Sequence, residues 1–339
     1  MKKLLESLKQ AGQQAVVLDG RIGVLPFGGR IIGLCPDGET NVLWTNRVLD
    51  SADSARAFFA SVGWPNSGGD RTWISPEIDT NIGDPERSGE TYDVPRAVDP
   101  GAYAVTGSAG DSVTLETDMN VLFRRSGHTV PLHTTKQVKA MRPAIDIPDG
   151  VSAAGYALTM TIKAKAPIPE GVHPAIWNLA QVPGGGRMLF PVRGDLRTHA
   201  FIGKPVFQAR DGLVETVVQT ADNYKFGIHV SCSTGVMLYL RQQGAQSTLV
   251  VRKFDVWEDG FYSDVPCDDP GAMGYIQQAY VDNGDLGGFG ELEYHSPAIG
   301  GPTGREEVTD RSELWAFSGP PQAISEVSEV ILSSAPCRP

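Results

Sequence analysis

Residues 153–164 alternate strictly: Tyr156, Leu158, Met160 and Ile162 fall on one face, and Ala157, Thr159, Thr161 and Lys163 on the other. A period of two is the repeat of an extended strand, and an apolar face opposite a polar one marks a half-buried antiparallel strand. Residues 112–123 repeat the pattern. Between residues 15 and 49, the short runs Ala15-Val-Val-Leu18, Arg21-Ile-Gly-Val-Leu25 and Gly29-Arg-Ile-Ile-Gly-Leu34 are separated by Asp-Gly, Phe-Gly-Gly and Pro-Asp-Gly turn signals. The run Asn41-Val-Leu-Trp-Thr-Asn-Arg47 continues this strand series. The 39 glycines and 24 prolines are spread along the chain, as many turns between short strands require. The expected fold is all-β: a large antiparallel β-sandwich with a few short helices. One domain covers 1–339, because no repeat, low-complexity tract or linker divides it. Helices are expected in 1–14, where Leu4, Leu5 and Leu8 share a face, over residues 51–60, and at the C-terminal helix and tail, 322–339.

The stretch Gly287-Gly-Phe-Gly-Glu-Leu-Glu-Tyr-His-Ser-Pro297 carries the most chemistry. In a strand, Glu291, Glu293 and His295 share one face, and Leu292 and Tyr294 take the other. Two carboxylates and an imidazole on one face can perform acid/base chemistry, bind a metal or read sugar hydroxyls. They can equally form the wet face of an antiparallel sheet. Residues 68–77 read as a loop that gathers Asp70, Arg71, Trp73 and Glu77. That set serves either to tie down the loop through an Arg–carboxylate pair or to form a sugar platform, with the indole against a ring face and the charged groups on hydroxyls. A second set of sugar-compatible types, His173, Trp177, Asn178 and Gln181, follows in residues 171–181, although a lone His173 also suits a structural role. Residues 222–229 lead into a strand carrying Lys225.

Several classes are excluded. Asp plus Glu is 40 against 29 Lys plus Arg, a formal charge of −11, and no basic stripe interleaved with aromatics exists, so nucleic acid is not an expected partner. No apolar run has the length of a membrane span. The N-terminus lacks the apolar core of a secretory signal, which points to the cytoplasm. Cys35, Cys232, Cys267 and Cys337 lie far apart with no CxxC pair, and read as reduced thiols rather than a zinc site or a disulfide framework. His128 and His133 make a weak metal pair, and Asp282-Asn-Gly-Asp285 is a turn without EF-hand spacing. No phosphate loop, dinucleotide fingerprint, HExxH or GxSxG is present. No cofactor and no metal are expected.

The segments 68–77, 175–181, 222–227 and 291–297, in this order, resemble those of uncharacterised bacterial branches of the galactose-mutarotase-like superfamily. That resemblance implies a β-supersandwich that binds mono- or oligosaccharides on a concave face. It implies an aldose 1-epimerase in which a late glutamate acts as base on the anomeric hydroxyl and a histidine as acid on the ring oxygen. The glutamate corresponds to Glu291 or Glu293. The histidine corresponds to His173, in a segment where Trp177 departs from the family's His-Pro-Tyr-Phe-Asn-Leu pattern. Arg47, Arg71, Trp73, Glu77, Trp177, Gln181, His199, Lys225 and His295 are the candidate substrate-binding residues. The same fold leaves two alternatives open. One is a lyase or hydrolase on uronate-containing oligosaccharides, with Arg47, Arg71 and Lys225 neutralising a carboxylate and His199 or Tyr224 as base. The other is a sugar-binding module without turnover.

Overall fold

The computed structural model describes residues 1–82, 84, 92–219, 221 and 223–335. Cys337, Asp222, the end of the tail and most of residues 83–91 lie outside the described residues. In chain order the strands are β1 (Val16–Leu18), β2 (Ile22–Leu25), β3 (Arg30–Leu34), β4 (Asp70–Ser75), β5 (Ala104–Ala109) and β6 (Ser112–Phe123). Then come β7 (His128–Met141), β8 (Ser152–Ala164), β9 (Ala175–Pro183), β10 (Arg187–Pro191), β11 (Thr198–Ile202), β12 (Gln208–Arg210) and β13 (Leu213–Val217). The last are β14 (Tyr224–Ile228), β15 (Val236–Gln243), β16 (Gln246–Phe254), β17 (Gln277–Val281), β18 (Phe289–His295) and β19 (Glu307–Gly319). The helices are α1 (Lys2–Gln10), α2 (Ala52–Phe59), the single turn α3 (Glu77–Thr80) and α4 (Pro321–Ser334).

The strands form two antiparallel sheets. One has nine strands in the order β1-β2-β3-β4-β9-β18-β17-β14-β11, and the other has ten in the order β12-β13-β10-β15-β16-β19-β8-β7-β6-β5. Both sheets draw strands from early and late in the chain. A core of buried residues from both sheets lies between them, with Ile31, Ala180, Leu292 and Phe226 on one side and Val138, Tyr156, Val250 and Leu314 on the other. The alternation of 153–164 holds in β8: its even-numbered residues from Tyr156 are buried, and Ala157, Thr159, Thr161 and Lys163 are partly or fully exposed. On the outer face of the ten-stranded sheet, Leu249, Val251, Trp315 and Phe317 are covered by Ile324, Val327 and Ile331 of α4. α2 starts where the sequence indicates, with the Ser51 hydroxyl accepting from the Ser54 amide at 3.3 Å.

Two expectations are corrected. Residues 41–47 form no strand and contribute only an isolated bridge from Thr45 to Gly68. Residues 70–75, expected as a loop, are strand β4, paired with β9 along its whole length and buried at every position. A strand covered on both faces loses the apolar–polar alternation. In β4 the polar residues remain because each finds a buried partner, and this gives the segment a loop-like composition. Gly69, just before β4, has φ +80, and a Cβ there would lie 2.3 Å from the Ile31 carbonyl oxygen, so only glycine fits.

Candidate functional site

β18 lies in the middle of the nine-stranded sheet, between β9 and β17. Its Leu292 and Tyr294 point into the core, and Glu291, Glu293 and His295 share the opposite face, as the period of two requires. That face is not wet: the exposures are 4%, 1% and 2%. Pairing then fixes the neighbours. Glu293 lies across from Leu179, which lies across from Arg71. His295 lies across from Trp177, which lies across from Trp73. Glu291 lies across from Gln181 and Tyr280, and Tyr280 across from Lys225. Gly290 lets β18 pass closely, since a Cβ there would lie 2.2 Å from the Met188 side chain.

A cavity of about 340 Å³ opens over these residues. Seven of the sequence-derived candidates line it: Arg71, Trp73, Glu77, Trp177, Lys225, Glu291 and Glu293. Lys225 Nζ is 2.8 Å from Glu77 and 3.2 Å from Glu293, and lies over the Trp177 ring at 4.3 Å. The Trp177 indole donates to Glu293 Oε2 at 2.8 Å. Arg71 Nη2 bonds Glu291 Oε1 at 2.8 Å, and its guanidinium lies 4.2 Å from the centre of the Trp73 ring and 5.3 Å from that of Trp64. Its Nη1 and Nε are buried without a partner.

The charges are unevenly held. Burial pushes the Glu293 carboxyl up to about 8, with Glu291 and Glu77 adding to the shift and Lys225 opposing it. Burial also works against the Lys225 ammonium, but Glu293, Glu77 and Asp264 outweigh it, so Lys225 is held charged. Burial and the neighbouring Lys225 hold His295 well below the usual imidazole range, as a neutral ring stacked on Trp177. Burial raises the Tyr280 phenol, with Glu291 adding to the shift, and raises the Tyr92 phenol with the help of Glu77. Both stay hydroxyl donors.

Two candidates act from behind the lining. Gln181 donates to Glu291 Oε1 at 2.9 Å, and His295 bonds Ser75 at 3.1 Å beneath Trp177. Three lie elsewhere. His173 sits before β9 with its ring edge against Phe261. His199, on β11, contacts Tyr275 and lies 3.7 Å from Asp268. Arg47 is exposed in the turn Arg47–Asp50. None of the three lines the cavity.

Sequence reasoning missed Trp64, Tyr92, Phe201 and Tyr280, which also line the cavity, and Asp99 and Asp264, which support it. Asp99 Oδ2 accepts from the indoles of Trp64 and Trp73, each at 2.9 Å, and from Arg30 at 2.5 Å. Asp264 accepts from the Glu77 amide at 2.7 Å and from Gln278 at 2.8 Å. No sequence period connects Asp99 to Trp64 or Asp264 to Glu77. Among the described residues, no three His, Cys, Asp or Glu side chains converge as metal ligands, and no helix is long and apolar enough to cross a membrane.

The chain matches no family model and no curated protein by sequence. It is similar to the Slr1438 protein from Synechocystis sp. PCC 6803, with a TM-score of 0.51, 11% identity, and 91% of this chain and 96% of that chain covered. It is also similar to a galactose mutarotase-like protein from Lactobacillus casei ATCC 334, at TM-score 0.48 and 12% identity over 91% of this chain and 99% of that chain. For a galactose 1-epimerase from Lactobacillus acidophilus NCFM the values are 0.43 and 8%, over 90% of this chain and 93% of that chain. At such identities the likeness is one of fold, and the all-β antiparallel sandwich expected from the sequence is the fold of this chain.

Proposed function

We propose that the cavity binds an aldose and that Glu291 and Glu293 interconvert its anomers, as in an aldose 1-epimerase. The observation that carries this reading is the unlike setting of two neighbouring carboxyls: Glu293 is pushed up to about 8, and Glu291 is paired with Arg71 and Gln181. Two carboxyls in environments that push them apart can divide the roles of acid and base. The cavity volume, about 340 Å³, lies within the range of about 300–1,000 Å³ for small-molecule sites. Its aromatic walls suit the apolar faces of a sugar ring.

In this mechanism Glu293 donates its proton to the ring oxygen while Glu291 takes the proton of the anomeric hydroxyl. The C1–O5 bond breaks and C1 becomes an aldehyde. Rotation about C1–C2 presents the other carbonyl face. The O5 hydroxyl then adds to C1, its proton returns to Glu293, and Glu291 returns its proton to O1. His173, the acid implied by the family resemblance, lies outside the lining, so the acid is assigned to Glu293. The free thiols of Cys35, Cys232 and Cys267 suit a reducing compartment and the cytoplasmic location we propose.

Polarimetry on freshly dissolved aldoses tests the reading. The protein is expected to accelerate mutarotation of at least one aldose, and Glu293→Gln to lower that rate by about 10²-fold or more, the usual contribution of a general acid. Sugar binding without acceleration would make the chain a binding module instead.

A further inference from the structure

Strand β17 is buried at every position except Tyr280, and Tyr280 lines the cavity. In the register, Tyr280 lies across from Glu291 on one side and from Lys225 on the other. Side chains directly opposed on one face of a sheet have Cβ atoms about 4.5–5.5 Å apart, so the phenol and the Glu291 carboxylate are neighbours. After burial, Glu291 is the group that does most to keep the phenol protonated.

Besides Glu293 in its acid form, the strands present the donors Arg71, Trp73, Trp177, Lys225 and Tyr280 to the cavity. All but Tyr280 are engaged. Arg71 bonds Glu291, the Trp73 indole bonds Asp99, the Trp177 indole bonds Glu293, and Lys225 is divided between Glu77 and Glu293. The Tyr280 hydroxyl bonds no group among the described residues, and the residue is partly exposed. Glu291 is matched to it. The bonds from Arg71 and Gln181 both fall on Oε1, which leaves Oε2 to accept from a ligand.

A hydroxyl that gives its proton to Glu291 is helped by a donor beside it. As the proton leaves, charge grows on the oxygen, and a donor already in place stabilises that oxygen more in the transition state than in the ground state. We propose that Tyr280 is a catalytic residue of this site, its phenol donating to the anomeric oxygen while Glu291 takes the proton from the same atom, which rests on the reading of the cavity as an aldose 1-epimerase site. In the open-chain form the same bond polarises the C1 carbonyl for attack by the O5 hydroxyl. The phenol keeps its own proton throughout, so protons pass only through Glu291 and Glu293.

Tyr280→Phe tests this, since it removes the oxygen and keeps the ring beside Phe289. Anomer exchange by NMR gives kcat and KM on D-glucose, D-galactose, D-mannose and L-rhamnose. Tryptophan fluorescence gives the binding of each sugar and of its 1,5-anhydroalditol, which has no oxygen on C1, because Trp64, Trp73 and Trp177 line the cavity. On an aldose that the wild type turns over, Tyr280→Phe is expected to lower kcat by about 10²-fold, with KM nearly unchanged. The 1,5-anhydroalditol is expected to bind both proteins equally. Exchange at the wild-type rate in Tyr280→Phe overturns the proposal and leaves the epimerase reading standing. A raised KM with kcat kept, or equal weakening for an aldose and its 1,5-anhydroalditol, makes Tyr280 a wall of the cavity and overturns the proposal as well. No exchange by the wild type on any of the four sugars overturns both readings.

Discussion

A carboxyl beside an ammonium is ordinarily held ionised, yet Glu293, 3.2 Å from Lys225, is pushed up to about 8. Burial at 1% exposure outweighs one shared cation, because Lys225 is also claimed by Glu77 and two further carboxylates repel the charge. Two consequences follow for pH. The protonated acid is lost as pH rises through about 8, so mutarotation is predicted to fall along that limb, and a kcat profile checks it. For stability, the folded state keeps a proton that the unfolded chain releases near 4.5. Glu293 therefore favours the folded state fully below about 4.5 and loses that contribution as pH rises through about 8. Glu293→Gln, which cannot ionise, is predicted to reduce the alkaline loss of stability in urea unfolding at pH 6 and pH 9. An equal loss in both proteins would mean that another group titrates.

At the scale of elements, the site is a product of register. Strands β6 and β8 were legible because one face of each is polar, and the alternation of β18 was legible because its two faces carry different chemistry. β4 was not, because its Asp70 and Thr72 find partners within the core while Arg71 and Trp73 find theirs on the outer face. The candidates drawn from β4, β9, β14 and β18 converge because these strands pair, directly or through β17. His173 and Arg47 lie outside these paired strands, and His199, although on β11 beside β14, lies outside the lining. The indole wall depends on Asp99, which precedes β5 and holds Trp64 and Trp73 against Arg71. Asp99→Asn keeps an acceptor for the indoles but removes the counter-charge of fully buried Arg30, and is predicted to cost about 3–5 kcal/mol in denaturant unfolding. Asp99→Ala is predicted to shift tryptophan emission to the red as well, since both indoles lose their acceptor. Unchanged stability in Asp99→Asn would contradict a structural role for the pair.

Across the whole molecule, the same strands that present the cavity lock the two sheets together. Asp70 forms an ion pair with Arg252 of the facing sheet at 2.5 Å, with both charges at 0% exposure, and accepts from the Tyr156 hydroxyl at 2.6 Å. Lys136 reaches Thr72 at 3.0 Å, Thr72 bonds Asn178 at 2.6 Å, and Tyr294 donates to Asp310 at 2.6 Å. This network lies on the inner face of β4, β9 and β18, directly behind Arg71, Trp177 and Glu293. Such pairing between distant segments leaves no local trace, which is why the sequence could indicate two sheets but not what joins them. Arg252→Met is predicted to destabilise by about 3–5 kcal/mol, since it leaves the buried Asp70 carboxylate without its counter-charge, and Arg252→Met with Asp70→Leu by clearly less than the sum of the single changes. Additive losses would show that the pair is uncoupled.

The most direct test of the site is proton exchange NMR on a panel of aldoses and uronates, comparing the wild type with Glu291→Gln and Glu293→Gln. The prediction is protein-dependent exchange between α and β anomers of at least one aldose, falling by about 10²-fold or more in Glu293→Gln with its fold intact. Exchange undiminished in both variants, or new vinyl protons from an oligouronide in place of exchange, would contradict the assignment of these two carboxyls to ring opening.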